Sequence, residues 1–114
     1  MGFGDMIEWI KEKLAAVWEW IKKIVLKIVN FFKNIAGFFK DPNRLKKLKE
    51  DQDKIAVAIK ENLANGNYQV VNCLYDKETS ELVTPEQDAE VITAEQLDAQ
   101  TISVFGDKEM VVLQ

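Results

Sequence analysis

The stretch EWIKEKLAAVWEWIKKIVLKIVNFFK, Glu8–Lys33, decides how the front of this chain is read. The tetrapeptide EWIK stands at Glu8–Lys11 and again at Glu19–Lys22, and NFFK follows at Asn30–Lys33, each eleven residues after the last. Set out in elevens, Met6, Val17, Ile28 and Phe39 share one column, Trp9, Trp20 and Phe31 another, and Lys11, Lys22 and Lys33 a third. Eleven residues make three turns at about 3.67 residues per turn, close to the natural α-helix, so each column forms a slowly drifting stripe. The pattern predicts one amphipathic rod from Asp5 to Phe39, roughly 50 Å long at about 1.5 Å per residue.

On a wheel of about 100° per residue the charges gather on one arc. The other arc holds Phe3, Met6, Ile7, Ile10, Leu14, Val17, Trp18, Ile21, Ile24, Val25, Ile28, Phe32, Ile35 and Phe39, with Trp9, Trp20, Phe31 and Phe38 along a boundary. Soluble monomers seldom expose more than a few hundred Å² of contiguous apolar surface, so a face this wide demands cover. A membrane surface is the reading adopted, because boundary tryptophans and lysines on the wet face suit an interfacial helix. Copies of the same rod are the alternative, since eleven-residue periodicity favours straight or right-handed bundles. The back half of the chain is a third possible cover, but too small for such a rod.

In its eleven-residue repeat the segment 6–39 resembles the lipid-binding helices of exchangeable apolipoproteins and synucleins. The resemblance implies a mechanism, burial of an apolar face at a lipid surface. It departs from those helices in being more aromatic and repeating over a shorter length.

Outward from the rod, Asp41–Pro42 ends it, because a residue before proline avoids helical geometry. Asp41 is also a suitable N-cap for a second helix with Pro42 at its first position and a stop at Asn65–Gly66. That helix would present Leu45, Leu48, Ile55, Ile59 and Leu63. YQVVNCLY (68–75), a polar turn at Asp76–Ser80 and ELVT (81–84) read as a hairpin. AEVIT (89–93) reads as a further strand, and Thr93 opens a capping box with Gln96 for a helix to Phe105 that Gly106 ends. That helix would bury Leu97, Thr101, Val104 and Phe105, and EMVVL (109–113) closes as a strand. The fold class expected is α+β: a long N-terminal helix over residues 1–40, then a small acidic domain over 41–114. The domain's order is α–β–β–β–α–β, with a mostly antiparallel sheet.

Charge divides the chain too, about ten residues further on, after the basic cluster Arg44–Lys49. Residues 1–50 carry eleven Lys/Arg against six Asp/Glu, and residues 51–114 carry four Lys against thirteen Asp/Glu. The acidic half repels a phosphate backbone, so nucleic acid is not an expected partner. No histidine is present, which removes a Ser–His nucleophile, and the single Cys73 excludes an internal disulfide and a Cys/His metal cluster. Cys73 lies inside a strand without a local cation or base and reads as packed and inert. Five scattered glycines build no phosphate loop, and acid pairs such as Glu86 and Asp88 read as solvated charge. Neither a secretory leader nor a conventional spanning helix is expected, since Lys23 and Lys27 flank the run Ile24–Leu26.

The residues thus point to a non-enzymatic protein with no cofactor and no metal, cytoplasmic and peripheral at a membrane. Its apolar face would dock on anionic lipid, with Lys11, Lys22, Lys33, Arg44, Lys46, Lys47 and Lys49 supplying the charge contacts. The acidic domain would meet a protein partner or a neighbouring copy. A structural subunit of a homo-oligomer or larger assembly is the alternative, and a membrane-permeabilising toxin a further one.

Overall fold

Helix-forming residues dominate only the first part of the repeat. In the computed structural model, which describes residues 3–113 and only the backbone of Phe3, Gly4 and Met6, helix α1 spans Phe3–Val17. Ile10 and Leu14 are buried on its inner face, with Ile7, Val17 and Trp18 packed alongside. These positions follow the three- and four-residue spacing of a helical stripe. Trp18–Ile21 then turns the chain, and strand β1 spans Lys22–Val29. Four of its eight residues, Ile24, Val25, Ile28 and Val29, are β-branched, which lowers helix propensity and suits a pleated surface.

The long rod is therefore corrected. Columns that coincide on a helical wheel land in different elements: Val17 ends α1, Ile28 lies on β1, and Phe39 ends the short helix α2 (Gly37–Phe39). Between β1 and α2, Phe31–Ala36 forms a wider π-helical turn. Asn30 and Asn34 close it reciprocally: Asn34 Oδ1 accepts from the Asn30 amide at 2.8 Å, and Asn30 Oδ1 accepts from the Lys33 amide at 3.0 Å.

Helix α3 spans Pro42–Glu50, with Asp41 Oδ1 accepting from the Asn43 and Arg44 amides as a cap requires. It stops long before Asn65. Asp51 and Asp53 put negative charge where the helix dipole is already negative, and Asp51 folds its own side chain onto the Asp53 amide at 2.9 Å. The stretch expected to continue the helix instead becomes strand β2 (Lys54–Asn62), the antiparallel partner of β3 (Tyr68–Asp76). β4 (Glu81–Leu82) pairs with the end of β3, one short turn α4 (Pro85–Asp88) follows, and β5 spans Ala89–Leu97. Thr93 lies inside β5 rather than capping a helix; Asp98 is the cap of α5 (Ala99–Phe105). Gly106, at φ 57°, ends α5 in a left-handed conformation that suits glycine, and β6 (Met110–Leu113) closes the sheet.

The result is α+β, with five α-helices and a mixed six-stranded sheet among the described residues. The strand order is β1-β5-β3-β2-β6, with β4 off this path. Only the β1–β5 pair is parallel, running from Lys22 opposite Glu90 to Val29 opposite Leu97. Alternation along the central strands sends Val57, Ile59, Val71, Cys73, Tyr75 and Val91 toward α1. Ala56, Ala58, Val70, Leu74, Ile92 and Ala94 face the opposite layer, where Phe31, Ile35, Phe39 and Phe105 cover them. Much of the apolar face expected to need an outside cover is thus covered from within, and residues 1–40 and 41–114 share one sheet and both cores.

Candidate interaction surface

Of the residues assigned to a membrane or assembly face, Ile10, Leu14 and Ile21 are buried on the α1 side, and Phe31, Ile35 and Phe39 on the other. Ile7, Val17, Trp18, Ile24 and Phe38 are half-buried against these cores. The Phe3 and Met6 side chains lie outside the described residues. Trp9 remains exposed on α1, and Trp20, Val25, Ile28 and Phe32 remain exposed in a single stretch.

The cations divide in the same way. Lys11 pairs with Glu61 at 2.9 Å, and that bond raises its pKa above the ordinary lysine value. Arg44 and Lys47, expected to face lipid, instead converge on the buried carboxylate of Asp88. Arg44 Nε lies 2.9 Å from Asp88 Oδ1, its Nη1 and Nη2 donate to the carbonyls of Phe38 and Gln87, and its guanidinium stacks on the Phe38 ring at 3.7 Å. Thr84 donates to the same carboxylate as Lys47. Burial pushes the Asp88 carboxyl up, but the Lys47 and Thr84 hydrogen bonds and the Lys47 and Arg44 charges outweigh it and hold the group low. Asp88 is therefore an internal anchor for α3 rather than solvated charge. Lys46 is an exposed i,i+4 neighbour of Glu50, while Lys22, Lys33 and Lys49 are exposed.

Two polar groups that sequence reasoning missed lie under the π-helical turn. Asn72 on β3 is fully buried, donating to Glu90 Oε1 at 3.1 Å and to the Asn34 carbonyl at 3.3 Å. Burial pushes the Glu90 carboxyl above its ordinary value, against the opposing effect of the Asn72 bond. Neither residue lines the clefts beside α1, beside β1 or beside α3. A signal for Glu90 exists in AEVIT, where an acid interrupts a run buried on both sides. Cys73 is buried, with its thiol pushed up to about 12 by desolvation, which is the inert environment its sequence implied. No group of three or more His, Cys, Asp or Glu suited to a metal occurs among the described residues.

What stands open is the outer side of β1. The strand pairs with β5 alone and forms one end of the sheet. Val25 is 83% exposed, beside Thr93 on β5, and the two line a cleft of about 540 Å³ together with Lys27, Glu95 and Asn67. Trp20 (54% exposed) precedes the strand, Ile28 (45%) lies near its end, and Phe32 (59%) follows it. An edge strand presents unpaired backbone donors and acceptors, and apolar side chains along it make a template for another chain. Lys22, Lys23 and Lys27 oppose indiscriminate pairing, and Lys23 is additionally drawn over Trp18 at 5.3 Å. No helix among the described residues is long and apolar enough to cross a membrane. In comparison with known proteins, no family, no curated protein and no solved structure matches the chain.

Proposed function

We propose that this chain is a non-enzymatic structural subunit that assembles through the stretch 20–32, the strand β1 and its two flanking turns. One observation carries the reading: of seven exposed large apolar residues among those described, four (Trp20, Val25, Ile28 and Phe32) lie on this one stretch, at an unpaired sheet edge. Burial of a large apolar side chain is worth about 1.5–3 kcal/mol, so covering these exposed residues along the edge favours association. The membrane-surface reading keeps the same exposed residues but loses Ile10, Leu14, Ile21, Ile35 and Phe39, which are occupied inside the fold. Light scattering over a range of protein concentrations, run beside flotation with anionic and neutral vesicles, tests the proposal. A mass above one chain, with the protein left behind by both vesicle types, supports it. A monomer that floats with anionic vesicles returns the surface to lipid docking.

A further inference from the structure

The geometry points to a specific partner for that edge: β1 of a second copy, paired antiparallel about a two-fold axis centred on Leu26. The inference rests on the assembly reading above and adds its partner and register.

In a two-fold antiparallel pair, facing residues must share a side of the sheet, so the axis passes through a residue facing its own copy. The lysines of KKIVLKIV then discriminate among centres. Centred on Val25, Lys23 faces Lys27 twice; centred on Lys27, that lysine faces itself. Like charges directly opposite are destabilising. Centred on Leu26, Lys23 faces Val29, Ile24 faces Ile28, Val25 faces Lys27, and Lys22 faces Asn30. No lysine meets a lysine, and strand residues from Lys23 to Val29 all find partners. Centring on Ile24 also separates the lysines, but pairs only Lys22–Leu26 within the strand.

A second observation agrees. Trp20 and Phe32 are each six positions from Leu26, on opposite sides. The register that separates the lysines therefore brings Trp20 of one copy to the same end of the paired strands as Phe32 of the other. Both rings are more than half exposed in the single chain. Aromatic pairs contribute about 0.5–1.5 kcal/mol beyond their burial. Two copies also bring two sets of lysines to one sheet, so added salt screens their repulsion and tightens the pair, the reverse of its effect on docking to anionic lipid.

Chains carrying Val25→Cys are mixed with chains carrying Lys27→Cys under mild oxidation. The native Cys73 is buried and does not compete. Facing residues of an antiparallel pair have Cα atoms about 4.5–5.5 Å apart, inside disulfide reach, whereas diagonal positions lie at about 7–8 Å, beyond it. The expected result is a mixed disulfide several-fold more abundant than the homodimeric product of either variant alone. Val25→Lys is the second arm: it places lysine opposite Lys27 at two symmetric points, and a monomer with an unchanged circular dichroism spectrum is expected. Oligomers that form without the mixed disulfide and persist in Val25→Lys overturn this register and leave the assembly reading standing. A wild-type chain that stays monomeric at every concentration and salt overturns both.

Discussion

The two faces of the sheet are closed by different means. On one, α1 lays Ile10 and Leu14 across Val57, Ile59, Val71, Cys73 and Val91. On the other, the π-helical turn, α2, α3 and α5 form a patchwork, and polar anchors hold the pieces: Asp88 fastens α3 to α4, and Asp98 fastens α5 to the start of the π-helical turn. A fifteen-residue helix is oriented by its own apolar stripe. Shorter pieces bury less and leave a larger share of their backbone groups unpaired, so capping and charge pairing must complete them.

Removing a large side chain from either face should break the molecule to a similar degree. Phe105→Ala on the patchwork face is expected to cost about 3–5 kcal/mol, and Ile10→Ala under α1 about 2–5 kcal/mol, both read as midpoint shifts in urea denaturation. The faces should part company when polar groups are changed. Asp88→Asn, which leaves Arg44 and Lys47 without their counter-charge, is expected to cost about 2 kcal/mol at pH 7, within the range for hydrogen bonds to charged groups. Because the folded Asp88 pKa lies below the unfolded value, its stabilisation is present above the unfolded pKa and is lost as pH falls through the folded one. The variant and the native chain should therefore converge in strong acid, and a difference that persists there would show packing rather than charge at this site.

Asp98→Ala removes the acceptor for the Thr101 and Phe31 amides, at 2.8 and 3.3 Å. A loss of about 1 kcal/mol is expected for such a cap, with hydrogen exchange accelerated in α5 and in the π-helical turn together. The smallest effect belongs to Glu90. Its folded pKa is raised, so its contribution to stability is present below the unfolded pKa and is lost as pH rises through the folded value. Glu90→Gln should give a slight gain at pH 7 and none in acid, opposite in sign to Asp88→Asn; a loss at pH 7 would mean that the ionised form is held by more than Asn72.

Local signals in the chain were legible where they did not depend on distant contacts. The Asp41–Pro42 cap, the Tyr68–Tyr75 strand with its turn, the buried Cys73, the Gly106 stop and the last strand are all found as the residues imply. Thr93 misled because two caps compete within six residues, and the one at Asp98 also receives the Phe31 amide from just beyond the neighbouring strand β1. Leu45, Leu48, Ile55 and Ile59 share a helical face on paper, yet Leu45 and Leu48 belong to α3 while Ile55 and Ile59 join the α1 side through β2. The period-two run Ile55, Val57, Ile59, with alanines between, was an equally good strand signal.

The surface stretch 20–32 shows the same division. Its composition already shows an aromatic and β-branched segment interspersed with lysine, whose large apolar side chains gain by burial. Whether Ile24–Val29 lengthens a helix or adds a strand is a choice between two patterns that fit the residues nearly equally. β5 makes that choice: it offers Val29 and its neighbours a ladder of backbone partners and a core beneath, and burial against a sheet outweighs helix propensity differences of at most about 0.7 kcal/mol per ordinary residue. Once β1 is a strand, its position at the end of the sheet leaves Val25 and Ile28 outside, where a helical wheel would have placed them beside Ile21, now buried. The need for cover is written in the side chains, but which of them remain uncovered depends on contacts between residues nearly seventy positions apart.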